Sequence, residues 1–352
     1  MKKEWKDIKF ELTPFRDTGC HILKSIETIM DKLDEDITKM NTISASPYIK
    51  FLLGDVNAWR NTLVKAQDII EIWCKVQKSW QYLQPIFFSE DIITNMDQEG
   101  KKYSIVDKIW RTVMQQTLQY PTVLDSCSQN KIKETFETCL EQLDSVMKGL
   151  NKFLNEKRLA FPRFFFLSNE ELLSILAQAR EPKAVQRYLS KCFEGIEALT
   201  FEEDLKITQF HSNEMETIDF IQQISPFNQE NQLKGVEEWL GEVEKSMKLT
   251  LKSIYVNALQ SFKPTDRKKW LFQWPAQISV ICEQTMWTNS VIQAILNSKK
   301  NPETYQILFN RLEAELQEIV ELVRVETNKR NTITLGVLVV MEVHAKVLIN
   351  FH

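Results

Sequence analysis

Glycine is scarce in this chain, with 8 residues among 352, about a third of the usual frequency. So few glycines argue against a sheet-rich fold with many tight turns and favour long helices. They also leave no glycine-rich loop ending in Gly-Lys-Ser/Thr, the loop that cradles nucleotide phosphates. The only Gly-Lys pair, Gly100-Lys101, is followed by Lys102. The sequence therefore predicts no enzyme: it has no nucleotide-binding or catalytic motif and no cofactor-binding residues.

Patterns that bind metals or carry redox chemistry are lacking as well. The six cysteines are at least twelve residues apart, which excludes a C-x-x-C motif and is typical of reduced, buried thiols. No two of the four histidines are three or four residues apart. Glu342 and His344 are two residues apart and would lie on different faces of a helix. No metal site is predicted.

The charge balance and the apolar runs limit the possible partners. A net charge of −4 gives no electrostatic reason to expect nucleic acid or an acidic membrane. The basic run Arg267 to Lys269, beside Trp270, is too short to change this and is interpreted as a solvated loop. The longest apolar run, Leu335 to Met341, is far shorter than the roughly 20 residues that span a bilayer. Neither a membrane nor a nucleic-acid partner is expected.

A period near 3.6 residues marks most of the segments between prolines. The clearest apolar stripes run from Trp59 to Trp73, from Ile132 to Leu154, from Leu233 to Ile254 and from Leu308 to Val323. Each stripe predicts a long amphipathic helix with one buried face. Most prolines, including Pro264 and Pro302, fall between such segments. The predicted fold is all-α, an elongated array of helical bundles with about ten to twelve helices.

One stretch alternates apolar and polar residues and predicts a small β-hairpin near residues 205–221. Leu205 and Ile207 would share one face, with Ile218 and Phe220 opposite, around a turn near Asn213 that has no glycine. Breaks in the pattern divide the chain into three predicted helical subdomains. Their bounds are 1–157, 158–262 with the hairpin, and 263–352.

The segment from Arg158 to Leu176 is the most distinctive in the chain. Phe161 to Phe166 contains four phenylalanines, a proline and Arg163. Because this run is apolar on both faces, we expect it to be buried between helical layers. A charge inside an aromatic run is typically paired or stacked on a ring, and we expect this of Arg163.

A helix start follows the aromatic run. Ser168 or Asn169 can act as its N-cap. Glu170 and Glu171 would then lie in the first turn, where the helix dipole favours negative charge. The segment therefore predicts an abrupt change from a packed aromatic turn to a new helix.

This same segment closely resembles a stretch in the linker region of dynein heavy chains, just ahead of their ring of AAA+ ATPase modules. Other stretches resemble the family in the same order, so the resemblance spans essentially the whole chain. They are Asp17–Lys24, which looks like the family's opening helix, Ser46–Lys50, Trp80–Ile92, Val106–Arg111, Lys191–Ile196, Val236–Leu240, Trp274–Gln277 and Leu335–Gly336. The pattern is more similar to axonemal inner-arm heavy chains than to the cytoplasmic one.

The resemblance implies a mechanical function without catalysis. A dynein linker is a helical rod that lies across the ATPase ring, bends when the ring binds nucleotide and straightens in the power stroke for microtubule-based movement. Its partners would be AAA+ modules of the same chain, with ATP and magnesium bound in the ring, and the microtubule through the parent motor. The expected location is the cytoplasm and cytoskeleton, in the axoneme of a cilium.

The break in helical pattern leads us to expect the hinge within residues 155–230. The structural or hinge candidates are Phe161, Pro162, Arg163, Phe164 and Phe165. The apolar stretch from Thr332 to Phe351 suggests a fragment whose next module covers this face. The alternative function is a helical scaffold or adaptor that binds other proteins. A scaffold of the solenoid type has a fixed repeat, and none is found in the sequence.

Overall fold

The computed structural model describes residues 1–88, 90–129, 131–263, 265–299, 301 and 303–350. Within these residues the chain is mostly helical, with fourteen α-helices and two small antiparallel sheets. The predicted helical class is confirmed, but fourteen helices exceed the expected number and two sheets replace the single hairpin. Five helices have only four to six residues, too short to show a helical period in the sequence. Pro264 and Pro302, expected between helices, lie outside the described residues.

The chain divides into two compact units. The first comprises Met1–Leu159 and Leu172–Ala177, and the second comprises Ala160–Glu171 and Gln178–His352. The three-part division expected from the sequence stays a prediction. The units are described separately below.

The first unit is built on long helices whose apolar stripes form its core. Its elements are α1 (Lys2–Trp5), β1 (Glu11–Phe15), β2 (Cys20–Lys24), α2 (Ile26–Ser44), α3 (Leu53–Leu83), α4 (Glu90–Asn95), α5 (Asp97–Gln119), α6 (Val123–Cys127) and α7 (Ile132–Ala160). The stripes predicted from Trp59 and from Ile132 lie on α3 and α7. Trp73 of α3 contacts Phe136 of α7 with ring centroids 4.9 Å apart, and Trp80 stacks on Trp110 at 5.4 Å.

The first sheet was not expected from the sequence. Residues 17–24 were interpreted as the opening helix, and this is wrong, because they form a turn and strand β2, which pairs antiparallel with β1. Gly19 has a positive φ of +68°, a conformation that glycine adopts without strain. The local Thr-Gly turn therefore closes a hairpin where the resemblance had suggested a helix.

A buried glutamine joins this hairpin to α3. The Leu23 N–H donates to Gln77 Oε1 at 2.8 Å, and Gln77 Nε2 donates back to the Leu23 carbonyl at 2.9 Å. The side-chain amide thus makes the two hydrogen bonds that a neighbouring strand would make. Arg111 of α5 also donates to the Thr18 carbonyl at 2.8 Å. The hairpin is therefore held by polar side chains of two helices.

The second unit combines a three-stranded sheet with a C-terminal helical bundle. After a 3₁₀ helix (Pro162–Phe166) come α8 (Asn169–Ala177), whose last residues belong to the first unit, a 3₁₀ helix (Pro182–Tyr188), α9 (Leu189–Cys192), β3 (Ala198–Phe201), β4 (Ile207–His211), β5 (Thr217–Ile224), α10 (Val236–Phe262), α11 (Arg267–Trp270), α12 (Ala276–Ser298), α13 (Thr304–Val325) and α14 (Lys329–Asn350).

The hairpin predicted near residues 205–221 is confirmed as β4 and β5, and β3 adds a third strand beside β4. Phe210 pairs with Ile218 across the hairpin. Leu205 lies outside the strands, in a turn, with a φ of 62°. In the glycine-free turn, Met215 adopts a φ of 66°, and the Ser212 hydroxyl accepts hydrogen bonds from the backbone of Glu214 and Glu216. The serine side chain thus stabilises a turn that usually needs glycine.

The basic run at Arg267 is not a solvated loop, so that interpretation is wrong. Arg267 is only 16% exposed, and its Nε donates to Glu283 Oε1 of α12 at 2.9 Å. It also donates to the backbone carbonyl of Glu315 at 3.1 Å and forms an ion pair with Glu342 of α14. A guanidinium has five donors in a fixed plane, so this one side chain links three helices of the bundle.

Helix α14 is apolar along most of its length. Its Lys329–Ile349 stretch, with a mean hydropathy of 1.8, is long and apolar enough to cross a membrane by those criteria alone. Within the bundle, however, Leu335 and Leu338 belong to the buried core, and Lys346 pairs with Glu313. Only 28% of the stretch is buried within the bundle, and one such helix is weak evidence for a membrane span.

The cysteines are free thiols. Cys74 on α3 is half-buried and the other five are buried. Burial raises the pKa of the thiol at Cys127 to about 12 and at Cys139 to about 11. Since the thiolate is the reactive form, such thiols react slowly.

The Gln77 bridge gives a first prediction. Replacing Gln77 with Leu keeps the approximate volume but leaves the Leu23 N–H and C=O unpaired in the interior. We expect the chain to lose about 2 to 4 kcal/mol of unfolding free energy, measured by urea denaturation. Gln116→Leu, at an exposed position on α5, is the matched control and should change stability little. An equal loss in both variants would contradict this role of Gln77.

Candidate functional site: the aromatic junction

The junction comprises residues 158–193, where the chain passes from one compact unit to the other. Helix α7 ends at Ala160, and Phe161 is extended with a φ of −132°. Pro162 then begins the 3₁₀ helix. A residue before proline is disfavoured in the helical region, and proline itself has no N–H to continue the hydrogen-bond ladder. Pro162 therefore sets the end of α7.

The phenylalanines of the junction divide into two inner and two outer side chains. Phe161 and Phe164 are buried, and their rings meet edge to face at 5.0 Å. Phe165 and Phe166 are 59% and 71% exposed. The expectation that the whole run is buried is therefore wrong for these two and for Pro162, which is exposed as well. A 3₁₀ helix repeats every three residues, so positions 161 and 164 face one side while 165 and 166 turn away.

Arg163 is paired and stacked, as its setting among aromatic residues predicts. Its Nη1 donates to the Cys192 carbonyl at the end of α9 at 3.0 Å, and its Nη2 lies 3.4 Å from Glu244 Oε1 on α10. The guanidinium also lies 4.7 Å from the centre of the Phe193 ring. Hydrogen bonds from Lys248 and from Arg163 hold the pKa of Glu244 below its usual value. One side chain thus joins the aromatic turn to two helices of the second unit.

The helix start after the aromatic run is a capping box. The Ser168 hydroxyl accepts from the Glu171 N–H at 3.2 Å, and Glu171 Oε2 accepts from the Ser168 N–H at 3.0 Å. The predicted cap at Ser168 is confirmed. A serine followed three residues later by a glutamate typically makes this reciprocal pair of hydrogen bonds. Glu171 also forms an ion pair with Lys191 of α9, which lowers the pKa of the Glu171 carboxyl.

The sheet of the second unit is attached to its helices by side chains that sequence reasoning missed. The Ile221 N–H of β5 donates to Thr250 Oγ1 of α10 at 3.1 Å, and Ser246 Oγ donates to the Gln222 carbonyl at 3.0 Å. Ser246 and Thr250 are four residues apart and buried. The signal was available, since both residues fall on the buried face of α10, where a hydroxyl needs a partner.

Among the residues that the structure describes, the junction is not joined by a metal-binding cluster. Those residues contain no group of three or more His, Cys, Asp or Glu side chains that could hold a metal ion. What the junction offers is a set of charge-assisted hydrogen bonds around a short aromatic turn. Such contacts fix a geometry without reacting.

Comparison with known proteins shows which family this chain belongs to. The family model described as "Dynein heavy chain, N-terminal region 2" matches residues 1–258. The chain belongs to the dynein heavy-chain family. It is 39% identical over 347 residues to dynein axonemal heavy chain 12 of Rattus norvegicus, covering 98% of this chain and 11% of that protein. It is also 39% identical over 346 residues to axonemal heavy chain 1 of the same species, covering 98% and 7%.

A third relative is the human dynein axonemal heavy chain 3, which is 38% identical over 347 residues. That match covers 98% of this chain and 8% of the relative. The chain therefore spans about a tenth or less of the length of the curated dyneins that it matches. It corresponds to the linker region, a non-catalytic part of this motor protein's heavy chain, and the resemblance to axonemal dyneins is confirmed.

The contacts of Arg163 give a second prediction. In Arg163→Lys the charge remains, but a point-like ammonium cannot bind the Cys192 carbonyl and Glu244 in one plane while stacking on Phe193. We expect a loss of about 1 to 2 kcal/mol in unfolding free energy, measured by chemical denaturation. Arg324→Lys, on the exposed end of α13, is the control. Unchanged stability in Arg163→Lys would show that the contacts contribute nothing.

Proposed function

We propose that this chain is the mechanical lever of an axonemal dynein. It bends and straightens across the ATPase ring of its heavy chain and so produces the power stroke for microtubule-based movement, without catalysing a reaction itself. The observation that carries the proposal is the match over 98% of the chain to axonemal heavy chains. The order of the matching segments supports this function over a general helical scaffold or adaptor.

The partners and location form part of the proposal. The lever contacts AAA+ modules of the same heavy chain, which hold ATP and magnesium, and reaches the microtubule only through the parent motor. It works in the axoneme of a cilium, within an inner-arm dynein. The axonemal names of the relatives support this location.

We place the hinge within residues 155–230, in a chain organised as subdomains 1–157, 158–262 and 263–352. The boundaries between the two compact units fall at residues 159–160, 171–172 and 177–178, all inside this zone. The hinge residues are Phe161, Pro162, Arg163, Phe164 and Phe165. Arg163 supports the placement because it joins the turn through polar contacts, which can exchange between two packed arrangements.

The proposal is tested in the full-length motor with engineered cysteine pairs. One cysteine is placed within residues 1–154 and the other within 231–352, and the pair is joined by a reducible cross-linker. We expect cross-linking to stop microtubule gliding while the ring still hydrolyses ATP, because the power stroke requires the lever to change shape. Reduction should restore the gliding speed.

A cross-link inside one helix serves as the control. Asp144→Cys and Lys148→Cys lie four residues apart on exposed positions of α7, so joining them should leave gliding unchanged. If motors cross-linked across residues 155–230 glide at normal speed, the hinge placement is wrong.

A further inference from the structure

A cavity of about 190 Å³ lies in the C-terminal bundle, among α10, α12, α13 and α14. An engineered cavity of about 150 Å³ in another protein holds one benzene ring. This cavity therefore has room for one aromatic ring with a short side chain. Its apolar wall is formed by Phe262, Met286, Trp287, Leu312, Leu338 and Met341.

The charged wall of the cavity is short of one positive charge. The carboxylates of Glu283, Glu315 and Glu342 line it together with Arg311. Arg267 binds both Glu283 and Glu342, and Arg311 Nε lies 3.2 Å from Glu315 Oε1. Three carboxylates thus share two guanidinium groups. Glu318, 4.0 Å from Arg267 and partly exposed, adds further negative charge nearby.

One carboxylate oxygen at this site has no donor. Glu342 Oε1 is bound by Arg267, whereas Oε2 is buried and accepts no hydrogen bond from the residues that the structure describes. The indole Nε1 of Trp287 is likewise buried without an acceptor among those residues. A buried carboxylate without its full set of donors is strongly unfavourable, so a cation in the cavity beside Glu342 would offset its charge.

We propose that this cavity binds a small aromatic amine in its ammonium form, with the ammonium held by the charges of the Glu315 and Glu342 carboxylates and the ring packed against Trp287 and the two methionines. Aromatic faces and thioethers suit both a cation and an aromatic ring. The surplus of carboxylates opposes carboxylate or phosphate ligands. Among the described residues no three His, Cys, Asp or Glu side chains are placed so that they could hold a metal ion, so the cation proposed here is organic.

A proton competes with this ligand. Burial raises the pKa of Glu342 to about 7, although Arg267 opposes the shift. The charged and titratable side chains around it are Arg267 on α11, Glu283 on α12, Arg311 and Glu315 on α13, and His344 on α14. Raising the pH from 6 to 8 ionises Glu342, while a benzylic amine stays protonated. Binding should therefore strengthen, by roughly tenfold over this range.

The test uses benzylamine as the probe and the 352-residue chain, with binding followed by ligand-observed NMR at pH 8. Benzylamine should bind, whereas benzyl alcohol, which has the same ring without the charge, and benzoate should bind at least tenfold more weakly. Butylamine, which has the charge without the ring, should also bind more weakly. If benzyl alcohol or butylamine binds as tightly as benzylamine, the assigned ligand class is wrong.

Two variants locate the binding. Glu342→Gln removes the charge, and Ala345→Leu fills part of the cavity while keeping the three carboxylates. Each should weaken benzylamine binding by at least roughly tenfold, with circular dichroism checking that the fold is retained. Glu321→Gln, an exposed carboxylate outside the cavity that pairs with Lys268, is the matched control. Full binding in a folded Glu342→Gln or Ala345→Leu variant would overturn the proposal.

Discussion

The backbone groups at the edge of a strand need hydrogen-bond partners, and a small sheet in a helical chain has few strands to supply them. Here helix side chains act in place of strands. Gln77 bridges both backbone groups of Leu23, and Ser246 and Thr250 bind the edge of β5. Gln186 accepts from the Leu199 N–H of β3 at 3.2 Å. The sheets stay small because helices complete them.

Polar side chains also connect helices in the aromatic junction and in the C-terminal bundle. Arg163 joins the aromatic turn to α9 and α10, and Arg267 links α12, α13 and α14. A guanidinium makes several directional bonds at once and tolerates little displacement. Apolar contacts, by contrast, are non-directional. In this arrangement each arginine holds its helices in one relative placement, and a second placement requires its bonds to exchange together.

Much of the fold is predictable because it depends on local patterns. The stripes on α3 and α7, the hairpin β4–β5 and the cap at Ser168 follow from helical period, alternation and capping chemistry. Strand β2 was missed because the resemblance suggested a helix there, although its partner β1 and the Thr-Gly turn are local. Only its link to Gln77, 54 positions away, is beyond local patterns. Arg267 looks solvated in sequence because its partners lie on three other helices. Arg163 was predictable because its aromatic neighbours adjoin it in sequence. The hydroxyls of Ser246 and Thr250 fall on the apolar stripe of α10, but the strand that they bind could not be identified from that stripe.

The distribution of thiols has a practical consequence for spectroscopy. Five cysteines are buried, and burial raises the pKa of the Cys192 and Cys282 thiols to about 11. Burial raises the pKa of the Cys74 thiol as well, but Cys74 on α3 is half-buried, so a thiol-directed fluorophore added to the folded chain reacts there first among the native cysteines because it is the most accessible. With a donor dye on Cys74 and an acceptor dye on one introduced surface cysteine, energy transfer would report the distance between the two positions. Energy transfer along this region of the heavy chain could then be followed without first removing the native cysteines.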